Sequence, residues 1–269
     1  MSEKKVNPIQ ELIRNRALIW NLAKNDFKKR FAGSYLGIVW AFVQPIVTVV
    51  VYWFVFSIGL RQGRTCGHPF ILWLMAGLVP WFFFSEALNG GTNALIEYNY
   101  LVKKVVFKIS ILPVVKVVSS LFVHFIFIVF TIILCWCNGY APDLYELQII
   151  YYVLCGILLV LGMSYLTSAI VVFFRDLTQI INILLQVGIW MTPIMWNVTD
   201  VIQSPTLLAL FKINPMYYIV DGFRNALLDK VWFWEKPLWT LAFWVTVLVI
   251  FGLGVTVFRR LKVHFADVL

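Results

Sequence analysis

The chain has 269 residues, of which 61% are hydrophobic, 17% are aromatic and only 13% are charged. An ordinary soluble domain carries about twice that share of charged residues, and disordered or nucleic-acid-binding chains contain fewer large apolar groups. The composition therefore excludes those classes and indicates a polytopic membrane protein. The formal net charge of +9 then becomes informative through its position along the chain.

Residues 1–35 precede the first long apolar run and are predicted to form a cytoplasmic interface segment. Apolar residues at helical spacing around Trp20, followed by a basic end, predict an amphipathic helix that lies on the inner leaflet. A solvated N-terminal arm is the alternative. The basic end consists of Lys28, Lys29 and Arg30.

Residues 36–269 are predicted to form an all-α membrane domain with six transmembrane helices. Each helix corresponds to an apolar run of about 20 residues or more, which is the length that crosses a bilayer. The runs are Leu36–Leu60, Pro69–Leu88, Ile109–Cys137, Leu147–Phe174, Leu177–Trp196 and Leu238–Phe258. A shorter run, Thr206–Val220, is interrupted by polar residues and a proline. We expect it to be a re-entrant outer segment between the fifth and sixth helices.

The loop at residues 89–108 is predicted to break sharply from the second span. The stretch Asn89–Asn93 contains two adjacent glycines and is expected to end that span. The stretch Ala94–Val106 is then expected to form a short helix along the cytoplasmic face. Glu86 and Lys116 lie at similar predicted depths in neighbouring spans, so we expect them to pair or to extend separately toward the interface.

The positions of Lys and Arg predict the orientation of the chain in the membrane. Basic residues concentrate in the N-terminal segment, in the loop after the second span and after the last span. On the opposite side, acidic residues balance the basic ones. Because cytoplasmic loops carry the excess of Lys and Arg, both termini are expected to be cytoplasmic.

The sequence shows no pattern typical of an enzyme or a metal site. No G-x-x-x-x-G-K-[ST] loop is present, so we do not expect the chain itself to bind ATP phosphates. No His, Cys and carboxylate residues are spaced as metal ligands. His124 lies mid-membrane and is expected to be a neutral imidazole bonded to a neighbouring helix. We therefore expect no catalytic group, metal or cofactor in this chain.

Three stretches of the chain are distinctive, and the third is echoed further on. They are FKKRFAGSYLGIVWAFVQP at Phe27–Pro45, GLVPWFFFSEALNGGTNALIEYNYLVKK at Gly77–Lys104, FRDLTQIINILLQVGIWMTPIMW at Phe174–Trp196, and the echo NPMYYIVDGFRNALL at Asn214–Leu228. Together they resemble the permease subunits of ABC exporters for lipid-linked polysaccharides, of the O-antigen or capsule type, or for teichoic acids. Phe31 stands where that family often has Tyr, and Lys108 where a Pro often follows the Phe. Neither departure removes a charge or a glycine, so we expect local effects only.

The resemblance implies a permease that moves an undecaprenyl-linked polysaccharide or a teichoic acid across the bacterial cytoplasmic membrane. A smaller lipid or drug is the alternative cargo. The resemblance also implies a homodimer of this chain with two copies of a nucleotide-binding ATPase docked beneath it, so that ATP and Mg²⁺ belong to the partner subunit. Membrane lipids and the polyprenyl-linked glycan are further expected partners, and nucleic acid is not.

Two groups of site residues follow from this resemblance. It makes the loop after the second span the coupling element that receives the ATPase stroke, with a solvated loop as the alternative. The coupling candidates are Glu97, Tyr98, Asn99, Leu101, Val102 and Lys103. It also places the first and fifth spans at the dimer centre, where aromatic faces and amides would suit a sliding glycan. The channel-lining candidates are Trp40, Gln44, Tyr52, Trp53, Gln186, Trp190 and Trp196.

Two further groups follow from residue chemistry. Basic side chains attract anionic head groups or the pyrophosphate of a polyprenyl carrier, with the general positive-inside distribution as the alternative. The candidates are Lys28, Lys29 and Arg30. A proline near the outer end of the fifth span suggests an outer gate within residues 197–236, with a packing role as the alternative. The gate candidates are Tyr217, Tyr218 and Arg224.

Overall fold

The computed structural model describes residues 14–30, 32–61, 63–103 and 108–268. Phe31, residues 104–107 and the first part of the predicted interface segment lie outside the described residues. The helices are α1 Arg16–Arg30, α2 Gly37–Gly59, α3 Phe70–Glu97, α4 Asn99–Val102, α5 Leu112–Cys137, α6 Gln148–Val171, α7 Leu177–Met191, α8 Val198–Val201, α9 Pro205–Ile213, α10 Pro215–Arg224, α11 Pro237–Leu261 and α12 Phe265–Val268.

The prediction of an all-α polytopic fold is confirmed. Within the described ranges, five helical segments are long and apolar enough to cross a membrane, and they correspond to α2, α3, α5, α6 and α11. A two-residue antiparallel pairing, Arg64–Thr65 with His68–Pro69, closes the loop between α2 and α3. The chain is therefore a multi-pass membrane protein built almost entirely from helices.

The fifth predicted span is shorter than expected. Helix α7 has 15 residues, whereas a spanning helix needs about 20, and an irregular turn at 192–196 follows it. The chain then forms α8, α9 and α10, with a break at Asn214, whose side chain accepts a hydrogen bond from the Met216 amide. Helix α10 packs on α3 and α6. A total of six spans and a re-entrant path for this segment stay predictions.

Helix α3 forms the centre of the bundle and packs against α5, α6 and α10. It continues through Asn89–Asn93 to Glu97, so the prediction that these residues end the second span is wrong. Gly91 is required by packing, because a Cβ there would lie 2.1 Å from Oγ of Ser164 on α6. The hydroxyl of Thr92 donates to the Leu88 carbonyl oxygen at 2.8 Å, which satisfies this polar group inside the helix.

The N-terminal helix α1 packs along the beginning of α5. Its buried positions, Ile19, Ala23 and Asp26, fall at helical spacing on one face. The rings of Trp20 and Phe27 contact Phe122 of α5 at centroid distances of 5.3 and 5.6 Å. A carboxylate on the buried face of α1 was not predicted, and its partner lies in the site described next.

Candidate functional site

An open groove of about 1160 Å³ runs between α2, α3 and α7. It reaches the end of the bundle where α1 and α3 finish and α5 begins, which we call the basic end. Five of the seven channel-lining candidates lie on this groove: Trp40, Gln44, Tyr52, Gln186 and Trp190. Among the described residues, the other two lie outside its lining. One of these, Trp196, instead donates from its indole nitrogen to the Trp190 carbonyl oxygen at 3.2 Å.

The middle of the groove combines exposed aromatic rings with amide side chains. Trp40 and Trp190 are about half-exposed, and the ring of Tyr52 meets that of Trp190 edge-on at 6.4 Å. The Asn89 amide donates to Oδ1 of Asn182 at 2.6 Å, which links α3 to α7. Side chains of this kind can exchange hydrogen bonds with a sugar while the rings contact its apolar faces.

Apart from Gln186, the polar strip between α3 and α7 was missed by the sequence analysis. It consists of Ser85, Asn89 and Asn93 on α3, with Thr178, Asn182 and Gln186 on α7. The Thr178 hydroxyl donates to Oδ1 of Asn93 at 2.8 Å. The signal was present, because each set recurs every four residues, which places polar groups on one face of an apolar helix.

Two charge clusters occupy the basic end of the groove. A guanidinium nitrogen of Arg30 pairs with Glu86, while Lys116 donates to Oδ1 of Asp26 at 2.6 Å and also pairs with Glu97. The predicted pairing of Glu86 with Lys116 is therefore wrong. Helix α1 supplies a different partner to each of these residues, and no pattern within the spans could indicate that.

The environment of Asp26 favours its ionised form. Burial by itself raises the pKa of this carboxyl, but the hydrogen bond and charge of Lys116, with a hydrogen bond from Tyr98, outweigh burial and hold the pKa below its usual value. Burial, together with the charge of Asp26, raises the pKa of Tyr98. The phenol therefore stays protonated and donates to Asp26 at 2.8 Å.

The coupling candidates divide into inward-facing and outward-facing residues. Glu97 and Tyr98 join the charge cluster around Lys116, and the side chain of Val102 on α4 is buried. Leu101 is half-buried, whereas Asn99 and Lys103 are exposed. The exposed surface of this element also includes Tyr100, which the sequence analysis did not single out.

The basic candidates end α1. Lys29 and Arg30 line the groove, whereas Lys28 is exposed outside its lining. An anion that entered the groove at this end would thus meet two of the three predicted residues.

The gate candidates lie at the opposite end, and most of their contacts are internal. The Arg224 side chain is only 2% exposed. Its guanidinium donates to the carbonyl oxygens of Pro193 and Ile194 at 2.8 and 2.7 Å and lies 3.6 Å from the Trp73 ring centre. The hydroxyl of Tyr218 forms hydrogen bonds with the hydroxyls of Tyr151 and Thr240. These contacts of Arg224 agree with a packing role, which is the alternative to the predicted role in a gate.

Comparison with known proteins shows which family the chain belongs to. The chain is 27% identical over 259 residues to the O-antigen export system permease protein RfbA of Myxococcus xanthus, covering 96% of this chain and 98% of that protein. Two Klebsiella pneumoniae proteins of the same name are 25% and 24% identical over 250 residues, each covering 92% of this chain and 93% of the relative. The sequence profile described as "ABC-2 type transporter" matches residues 17–228, which run from α1 to the end of α10 and its following turn. The chain belongs to the ABC-2 type transporter family.

Proposed function

We propose that this chain is the permease subunit of an ATP-driven exporter that moves an undecaprenyl-linked polysaccharide of the O-antigen type across the bacterial cytoplasmic membrane. The carrying observation is the groove, which has charged side chains of both signs at one end and aromatic rings and amides along the rest. The curated relatives are named as O-antigen export permeases, which supports this cargo.

The charge distribution in the groove favours a neutral glycan over a teichoic acid. Among its described lining residues, the cations are Lys29, Arg30 and Lys116, all at the basic end, where the carboxylates of Asp26, Glu86 and Glu97 balance them. A polymer with a phosphate in every repeat would gain from cations along its whole path. A lipid-linked glycan carries its phosphates only at the carrier, which suits a groove with cations at one end. The groove is lined by residues of α2, α3 and α7, and a path along several helices fits a polymer better than a smaller lipid or drug.

A second copy of the chain would complete the channel. Helices α2 and α7 border the groove and expose large apolar side chains beside it, among them Val47, Val50, Ile183, Leu184 and Val187. In a homodimer, these surfaces would pack together and the two grooves would face one another. The exposure of both helices supports this arrangement.

The energy source in this proposal is a separate nucleotide-binding ATPase, present in two copies. The sequence has no phosphate-binding loop, so ATP and Mg²⁺ would bind to that partner. We place its docking site at the surface formed by Asn99, Tyr100 and Lys103. In this proposal, the docking surface, the basic end and both termini are cytoplasmic, and the positive-inside distribution supports that orientation.

Complementation tests the proposal directly. The gene, co-expressed with its ATPase, is placed in a bacterium that lacks its own O-antigen permease, and surface O-antigen is measured. Restored O-antigen is expected, and a P-loop Lys→Ala change in the ATPase should abolish it. Intracellular accumulation of lipid-linked glycan despite normal membrane insertion of both proteins would contradict the proposal.

Reconstitution then separates the cargo classes. The permease and its ATPase are placed in proteoliposomes, and ATP hydrolysis is measured with an undecaprenyl-linked neutral oligosaccharide, an undecaprenyl-linked polyol phosphate or a short-chain lipid. We expect the largest stimulation from the neutral oligosaccharide. A larger stimulation by the polyol phosphate would favour teichoic acid export instead.

A further inference from the structure

The ion pair between Arg30 and Glu86 sits within the groove. Both residues line it, and each side chain is 30% exposed. The pair joins the last residue of α1 to a position 11 residues before the end of α3, or about 16 Å along that helix. An ion pair at this depth, open to the groove, is accessible to any anion that enters from the basic end.

Lys116, the buried cation of the groove lining, has different partners. The Lys116 side chain is 5% exposed and contacts two carboxylates, those of Asp26 and Glu97. Breaking such a buried arrangement leaves uncompensated charge and is strongly unfavourable. A partly exposed single pair contributes little and exchanges easily. Arg30, with Lys29 beside it, is therefore the cation that the groove offers to a ligand.

We infer that Glu86 is a resident anion that occupies Arg30 while the groove is empty, and that the diphosphate ester of a lipid carrier displaces it. This inference rests on the proposed function. A guanidinium binds phosphate oxygens through two parallel N–H donors, and a diphosphate carries more charge than one carboxylate. The diphosphate must break the contact between Glu86 and Arg30 before it can bind Arg30. The carboxylate therefore keeps binding weak and favours onward movement of the carrier.

Equilibrium binding to the full-length chain in nanodiscs tests the inference. The probe is farnesyl diphosphate, and the readout is quenching of tryptophan fluorescence, since Trp40, Trp81 and Trp190 line the groove. Glu86→Gln removes the competing charge and should tighten binding by about threefold, the factor expected for an exposed ion pair. Arg30→Gln should weaken binding.

The double variant Arg30→Gln/Glu86→Gln identifies the route of the effect. If Glu86 acts through Arg30, adding Glu86→Gln to Arg30→Gln changes the affinity no further. Equal tightening in both backgrounds would indicate a general charge effect and overturn the inference. Unchanged or weaker binding of farnesyl diphosphate by the folded Glu86→Gln protein would overturn it as well.

A matched control lies at the other end of the bundle. Asp143 pairs with Lys230, and their side chains are 30% and 29% exposed, but both are outside the groove lining. Asp143→Asn should leave the affinity for farnesyl diphosphate unchanged. If Glu86→Gln does not fold, Glu86→Asp keeps the charge on a shorter side chain. Its affinity should lie above that of the wild type, and an affinity equal to or below the wild-type value would overturn the inference.

Two further arms identify the anion's source. Inorganic pyrophosphate shares the diphosphate but lacks the lipid, and should bind more weakly than farnesyl diphosphate; equal affinities would overturn a lipid carrier as the ligand. O-antigen export by the same variants is measured separately. Normal wild-type export without tightening by Glu86→Gln rejects this inference alone, whereas tightening without export supports it and rejects only the proposed cargo.

Discussion

The ammonium group of Lys116 lies 2.6 Å from the carboxylate of Asp26, and both side chains are more than nine-tenths buried. This contact ties α1, which precedes the spanning helices, to the beginning of α5. The second partner, Glu97, ends α3. Three helices therefore meet at one cation beside the element that we propose receives the ATPase.

Replacing Lys116 should destabilise the protein severely. Lys116→Met leaves the buried carboxylate of Asp26 without its cation, a change that costs about 3–5 kcal/mol. We expect a large fall in the thermal unfolding midpoint of the purified protein in detergent. The control is Lys24→Met on the exposed face of α1, which should leave the midpoint unchanged. Equal midpoints for the two variants would show that the Lys116 cluster contributes nothing to stability.

The lowered pKa of Asp26 predicts an acid limit to stability. A carboxyl with a lower pKa in the folded than in the unfolded state stabilises the fold above its usual value, here 3.8, and this contribution is lost as the pH falls through the lowered folded value. Between about pH 5 and pH 7, Asp26 should therefore stabilise the fold without adding any pH dependence to the unfolding midpoint. Below pH 4 the midpoint should fall more steeply in the wild type than in Asp26→Asn; parallel curves would contradict this.

The surface at α4 should transmit ATP hydrolysis to transport. Lys103 is exposed there and lies outside the groove lining, so Lys103→Ala can weaken ATPase docking without disturbing the core or the groove. Substitutions at Val102, which is buried, would confuse docking with folding. We expect export to fall severalfold while the unfolding midpoint stays unchanged. Lys24→Ala, at an exposed lysine of α1, is the control; an equal loss of export in both variants would argue against docking at α4.

The aromatic groove should be needed for flux rather than for assembly. Trp190→Ala removes an exposed ring from the groove and should reduce O-antigen export by about three- to tenfold, as expected for one aromatic contact. Trp53→Ala is a close comparison, because Trp53 is also exposed on a border helix but lies outside the groove lining. Export and dimer formation are measured together. Similar losses in both variants would remove the special role of the groove face.

Arg224 should behave as a structural residue. Arg224→Met leaves the carbonyl oxygens of Pro193 and Ile194 without their charged donor, and two such hydrogen bonds contribute about 3 kcal/mol or more. We expect a lower unfolding midpoint and a parallel loss of export. An export defect at an unchanged midpoint would instead support the gate role considered from the sequence.

Much of the fold follows from composition and helical spacing. The apolar runs and α1 could be predicted because length and periodicity are local properties. The continuous course of α3 could not be predicted, because a pair of glycines favours a turn. In the structure Gly91 instead lies within the helix, where the absence of a side chain leaves room for Ser164 of α6. The partners of Glu86 and Lys116 were unpredictable for a related reason. Each of these two residues has a partner on α1. Arg30, the partner of Glu86, is 56 residues away from it in sequence.

The groove was only partly predictable. Aromatic candidates such as Trp40 and Trp190 stood out by residue type, and five of the seven candidates lie on it. The amide pair of Asn89 and Asn182 did not stand out. The adjacent glycines favour a turn at Asn89, whereas the structure places it on helix α3. Its contact with Asn182 depends on the packing of α3 against α7, which the sequence does not show.

Helix α3 is a continuous helix of 28 residues that carries Glu97 at one end, Asn89 on the groove wall and Trp73 beneath Arg224 near the other end. Pro80 lies inside this helix, between Trp73 and Asn89, and lacks the backbone donor that a helix interior requires. The part from Asn89 to Glu97 contains no proline. Under the proposed function, a shift imposed at Glu97 would therefore reach the groove wall along one helix, with no loop in between.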